Sequence, residues 1–127
     1  MNKEQYDAGM KVRREVLGDD YVDRSLAATD ELTQPLQDLV NEYGWGACWT
    51  RPGLDRRTRS FMNIGMLTAL NRPHELSVHI RGALNNGLSR EEIVEAVLQT
   101  AIYCGLPAAL DSMRHVKQVF ADVDAES

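Results

Sequence analysis

Residues 71–95 read NRPHELSVHIRGALNNGLSREEIVE, and they set the fold class. Pro73 disfavours helical geometry at Arg72 and suits a first helical turn, so the spacing predicts a helix from there to about Asn86, closed by Gly87. Ser89 and Glu92 form the S-x-x-E pattern of a capping box ahead of the apolar stripe Ile93, Val94, Val97, Leu98, Ala101 and Ile102. Two helices joined by a tight turn follow, the second expected to be the most buried of the chain.

Working outward, the same signals recur. Gly105 ends the second helix, Pro107 opens the next, and Met113, Val116 and Phe120 recur at helical spacing along residues 108–123. Upstream, Asp55 reads as the cap of a helix through Leu70, with Ile64, Leu67 and Thr68 on one face and Gly65 and Ala69 marking close helix contacts. Residues 44–54, GWGACWTRPGL, hold three glycines, a proline and both tryptophans, which predicts an irregular loop anchored by Trp45 and Trp49. Before it, Thr33 caps and Gly44 stops a helix carrying Leu36, Leu39, Val40 and Tyr43; a short helix is expected near 21–28, and another over Lys3–Leu17. No segment alternates like a strand. The expectation is an all-α fold, a single domain over 1–127 with about six helices.

A length of 127 residues suits one hydrophobic core, and a net charge of -5 argues against a nucleic-acid partner. The densest positive stretch, Arg51, Arg56, Arg57 and Arg59, could still attract a small carboxylate. No apolar run approaches the roughly 20 residues that span a bilayer, and the charged start lacks a signal-like apolar region, so a cytoplasmic protein without membrane contact is expected. Cys48 and Cys104 form no CxxC pair and read as reduced thiols. One histidine with scattered acids does not supply a converging ligand set, so no metal is expected, and no phosphate-cradling glycine motif occurs.

Chemistry concentrates on the helix that starts at Pro73. Glu75 and His79 lie four residues apart on one face, continued by Gly82 and Asn86. An acid beside imidazole favours the cationic ring and orients it, and Gly82 leaves space beside it for a ligand or a neighbouring helix. The plainer reading is a helix-stabilising pair worth roughly 0.2–0.5 kcal/mol. Arg72 could reach a carboxylate as a bidentate donor, whereas Arg81, two residues from His79, faces away from it. Tyr43 and Tyr103 are expected in the core, and His74 and His115 at the surface.

At GLDRRTRS (53–60), at HELSVHIRGALNNGLSREEIVEAVLQTAIYCGLPAAL (74–110) and along the closing helix, the sequence resembles the carboxymuconolactone decarboxylase family over nearly its whole length. The resemblance implies the all-helical alkylhydroperoxidase-like fold and a homo-oligomer, often a hexamer built as a trimer of dimers. It also implies conversion of 4-carboxymuconolactone, a lactone dicarboxylate, to 3-oxoadipate enol-lactone and CO2 in protocatechuate catabolism through the β-ketoadipate pathway, without a cofactor. His79 and Glu75 then become the catalytic candidates, Arg72 and Arg51 the carboxylate clamps, and Trp45 and Trp49 the apolar wall. Peroxidase-like relatives keep a CxxC pair four residues ahead of the histidine; here Arg72 and Glu75 stand at those two positions. Without that dithiol a peroxide-reducing relay has no basis. A thiol antioxidant using Cys48 or Cys104, and a non-catalytic helical assembly protein, are the competing functions.

Overall fold

A computed structural model describes residues 1–127. Every element is helical: α1 (Lys3–Leu17), α2 (Asp19–Ala27), α3 (Gln34–Leu39), a π-helical segment (Val40–Trp49), α4 (Arg56–Ala69), α5 (Pro73–Asn85), α6 (Arg90–Tyr103) and α7 (Leu106–Glu126). The all-α expectation holds, with seven α-helices against about six. They divide between two compact units, Met1–Asp55 and Arg56–Ser127.

In the N-terminal unit, Asn2 caps α1 by accepting from the Gln5 N–H at 3.0 Å. The expected loop over 44–54 is instead helical as far as Trp49, because α3 widens into the π-helical segment without a break at Gly44. Gly46 serves close packing there rather than a turn. A Cβ on Gly46 would sit 2.4 Å from the Gln5 carbonyl oxygen, and one on Gly9 would sit 2.1 Å from that of Asn41, so α1 meets the π-helical backbone almost directly. A polar cluster fixes the same contact. The buried Arg13 guanidinium donates to Gln37 Oε1 at 2.9 Å, Asn41 Oδ1 at 3.0 Å and Ser25 Oγ at 3.2 Å. Burial lowers the pKa of Arg13, opposed by the tyrosines Tyr21 and Tyr6.

In the C-terminal unit, Ile64, Leu76, Ile80, Ala83, Leu88, Ile93, Val97, Ala109, Val116 and Val119 form one buried core drawn from α4 to α7 and the turn at Leu88. The turns follow from local chemistry. Asn71 takes a positive φ of 55° after α4, where the Arg72 N–H returns to the Leu67 carbonyl at 3.0 Å, and Gly87 (φ 92°) closes α5. The Ser89–Glu92 capping box is complete, with Ser89 Oγ accepting from the Glu92 N–H at 3.0 Å and Glu92 Oε1 from the Ser89 N–H at 2.9 Å. Arg57 joins this turn to the start of α4 through the Gly87 carbonyl and through Glu92 at 2.5 Å. Arg81 grips Glu126 with two hydrogen bonds of 2.7 and 3.0 Å, and Arg90 pairs with Asp124 while lying over the Phe120 ring.

Several burial expectations change. In α6 only Ile93, Val97 and Thr100 are buried, while Val94, Leu98 and Ile102 face outward, so one stripe of a two-stripe helix is used. Tyr103 (83% exposed) and Tyr43 (56% exposed) lie at the surface rather than in the core. Gly65 and Ala69 do not mark close contacts, since a Cβ on Gly65 would meet nothing within 4 Å and Ala69 is exposed.

Candidate functional site

His79 projects from the middle of α5, one turn after Glu75 and between the core residues Leu76 and Ile80. Its ring is half-buried and Glu75 is exposed. Desolvation by the surrounding protein pushes the imidazole down from 6.5 to about 4, and the charge of Glu75 opposes this without overcoming it. The ring is therefore neutral at pH 7. The expected cationic histidine is corrected on this point: a partly buried ring loses more hydration than one exposed carboxylate restores. The side-chain amide of Asn63, on α4, lies 3.3 Å from His79 Nδ1. No periodicity in the sequence singles out Asn63; only the packing of α4 on α5 brings it to the ring.

The other candidates sit as follows. Arg72 is exposed, and its guanidinium folds back onto the carbonyls of Leu70 at 3.0 Å and Asn71 at 3.2 Å, capping α4. Gly82 is buried. Arg81 is held by Glu126, as its position facing away from His79 allows. In the N-terminal unit Trp45 is buried and stacks on Trp49 with ring centroids 4.9 Å apart and planes tilted by 34°. Arg51 follows directly, its backbone N–H donating to the Cys48 carbonyl at 3.0 Å. Cys48 is exposed and Cys104 half-buried, both as free thiols.

Two cavities open in the C-terminal unit, each of about 560 Å3, a volume suited to a small organic molecule. One lies between α4 and α6, with Phe61, Gly65 and Ala96 among its apolar lining and Glu95, Gln99 and Tyr103 among its polar groups. The open side of Gly65 is part of this wall. The other, at the start of α5 and α7, carries Arg72, Thr68, Asp111 and Ser112, with a buried hydrogen bond of 2.9 Å from Ser112 to Thr68. Cys104 borders both, and His79 lines neither. No group of three or more His, Cys, Asp or Glu side chains converges as a metal site would require.

Residues 34–118 match the carboxymuconolactone decarboxylase family, about two thirds of the chain. The chain belongs to this family. It is 43% identical to a 4-carboxymuconolactone decarboxylase of Acinetobacter baylyi over 97% of its length and 92% of the relative's. It is 41% identical to the nitrosuccinic acid decarboxylase npaB of Metarhizium robertsii, over 97% of this chain and 86% of that protein. An uncharacterised 15.0 kDa protein of Paracoccus denitrificans is 32% identical over 80% of the chain. The all-helical fold agrees with that membership. No helix is long and apolar enough to cross a membrane.

Proposed function

We propose that the protein is a cofactor-independent decarboxylase that converts 4-carboxymuconolactone to 3-oxoadipate enol-lactone and CO2, in the cytoplasmic β-ketoadipate route of protocatechuate catabolism. The observation that carries this reading is the near-full-length similarity to the 4-carboxymuconolactone decarboxylase of Acinetobacter baylyi. The dithiol reading gains nothing, since no second cysteine accompanies either Cys48 or Cys104 in its own unit.

The reaction defines what the protein must do. As the bond from the saturated ring carbon to the carboxylate breaks, its electron pair moves through the ring double bond onto the lactone carbonyl oxygen, CO2 leaves, and a furanolate remains. A proton from water then adds to a ring carbon to give the enol-lactone. Stabilising the oxygen-centred charge lowers the barrier, and a neutral imidazole N–H on a partly desolvated helix face is a donor that costs little reorganisation. His79 takes this role, and it donates a hydrogen bond rather than a proton. Glu75 orients the ring, and Arg72 exchanges its two carbonyl partners for a substrate carboxylate, which it can hold bidentately. For Arg51, Trp45 and Trp49, substrate binding rests on side-chain chemistry: a guanidinium for a second carboxylate, and indoles for the apolar ring.

The similarity to a nitrosuccinic acid decarboxylase favours a second substrate class. Loss of CO2 from the carbon that bears the nitro group of this dicarboxylic acid also leaves an oxygen-centred anion, a nitronate with one carboxylate remaining, so the same donor would serve both. The test is to add the protein to each compound and follow CO2 release together with the ultraviolet absorbance of the lactone. Turnover of the lactone supports the proposal. Turnover of nitrosuccinate alone moves the assignment to nitro acids, and release from neither overturns it.

We also propose a homo-oligomer, a hexamer arranged as a trimer of dimers. Val94, Leu98 and Ile102, spaced four residues apart on α6, are all exposed, as is Leu106 at the start of α7, and exposed apolar residues at that spacing support burial by other copies.

A further inference from the structure

We propose that the cavity at the start of α5 and α7 is a binding site for a small dicarboxylate, with the Arg72 guanidinium holding one carboxylate and the buried hydroxyl pair of Thr68 and Ser112 receiving an oxygen further along the molecule. The proposal rests on the decarboxylase reading for its natural ligand, a lactone dicarboxylate, and adds where that ligand is held.

The cavity lies within one compact unit, and its volume of about 560 Å3 accommodates a molecule of that size. Arg72, in its wall, supplies the positive charge. Both carbonyl bonds of this side chain run from Nη1, so Nη2 and Nε remain for a carboxylate even before those bonds are exchanged. Two helix starts add to the charge. The first turns of α5 and α7, with Pro73, Leu76, Pro107 and Ala108, form part of the wall, and neither helix has a side-chain cap, so the positive ends of two helix dipoles border the same space.

The second contact is more buried. Thr68 on α4 and Ser112 on α7 are each 3% exposed and both line the cavity, and Ser112 Oγ donates to Thr68 Oγ1 at 2.9 Å. Two hydroxyls joined by one hydrogen bond keep one O–H proton between them, and an acceptor oxygen of the ligand takes it. Asp111 is the carboxylate in the wall, and its neighbours on α7, Arg114 at 3.6 Å and His115 at 3.7 Å, offset part of its repulsion of an anion.

The experiment is a titration of the full chain with succinate, an unreactive dicarboxylate, followed in nitrogen–proton correlation spectra of the backbone amides, beside steady-state kinetics on 4-carboxymuconolactone with succinate as inhibitor. In the wild type the amides of Leu76, Ala108 and Ser112 should shift, and succinate should raise the apparent KM without changing kcat. Arg72→Gln should weaken succinate binding and raise KM by about tenfold or more, with Arg72→Lys between the two because it keeps the charge and loses the planar fork. Ser112→Ala should weaken binding by about threefold or more, and Asp111→Asn should tighten it by about twofold or more. Arg72 is exposed, so its variants keep the fold, and equal melting temperatures check this. Shifts confined to other parts of the chain, or equal succinate binding by the wild type and Arg72→Gln, overturn the site, and unchanged binding by Ser112→Ala overturns the part given to the hydroxyl pair. Succinate bound in the expected way by a protein that does not turn over the lactone keeps the site and removes the decarboxylase reading, whereas lactone turnover with a KM that Arg72→Gln leaves unchanged keeps that reading and removes the site.

Discussion

A histidine one turn from a glutamate would ordinarily gain a proton, and His79 instead loses affinity for one. Its depressed value of about 4 ties the residue to stability as well as chemistry. Between about 4 and 6.5 the unfolded chain binds a proton that the folded ring refuses, so the folded state gains stability as pH rises through that window and the gain is complete above 6.5. The full effect is at most about 3 kcal/mol. Denaturant unfolding of the wild type and His79→Gln at several pH values checks it: the variant should show a shallower loss of stability on acidification across that window, and parallel curves would contradict the neutral, desolvated ring. Glu75→Gln should push His79 lower still, because it removes the charge that favours the imidazolium. Titration by NMR reads this, and an upward move would mean that Glu75 acts otherwise than by its charge. The pairing of Glu75 with His79 was legible from a spacing of four. The neutrality was not, because it depends on how α5 is covered rather than on what lies along it.

Among the elements, the π-helical segment is the one that sequence reasoning misreads, and the reason is physical. Glycine signals a break when its neighbours leave its backbone exposed, but Gly46 is matched by Gly9 across a helix crossing that no local pattern records. Gly9→Ala should therefore destabilise the N-terminal unit by about 1–3 kcal/mol, since a Cβ there meets backbone that cannot step aside. Gly65→Ala, where a Cβ meets open space, should leave stability equal or slightly better. Thermal melts of the two variants discriminate, and equal melting temperatures would deny the close crossing. By contrast the turn between α5 and α6 was fully legible, because its Gly87 and its capping box act within a few residues of one another. Ser89→Ala should cost about 1 kcal/mol by leaving the Glu92 N–H without its acceptor.

For the whole molecule, the all-helical class followed from periodicity, while which apolar stripe turns inward could not be read from a single chain. The α6 stripe of Val94, Leu98 and Ile102 is as regular in sequence as the buried one, and in the proposed homo-oligomer both faces would be apolar for the same reason. Leu98→Glu with Ile102→Glu should lower the solution mass measured by sedimentation toward that of a smaller species, since charges placed in a buried interface lose their hydration. An unchanged mass would place the contact elsewhere. The same solution species must also perform the reaction, and the account stands most directly on steady-state turnover of 4-carboxymuconolactone by the wild type and His79→Gln from about pH 5 to about pH 8. The expected result is a wild-type rate with no titration near 6.5 assignable to His79 and a variant slower by about a hundredfold or more. Near-normal turnover by His79→Gln, or a wild-type rate that rises as a group near 6.5 gains a proton and loses that rise in the variant, would contradict a neutral His79 at the centre of the chemistry.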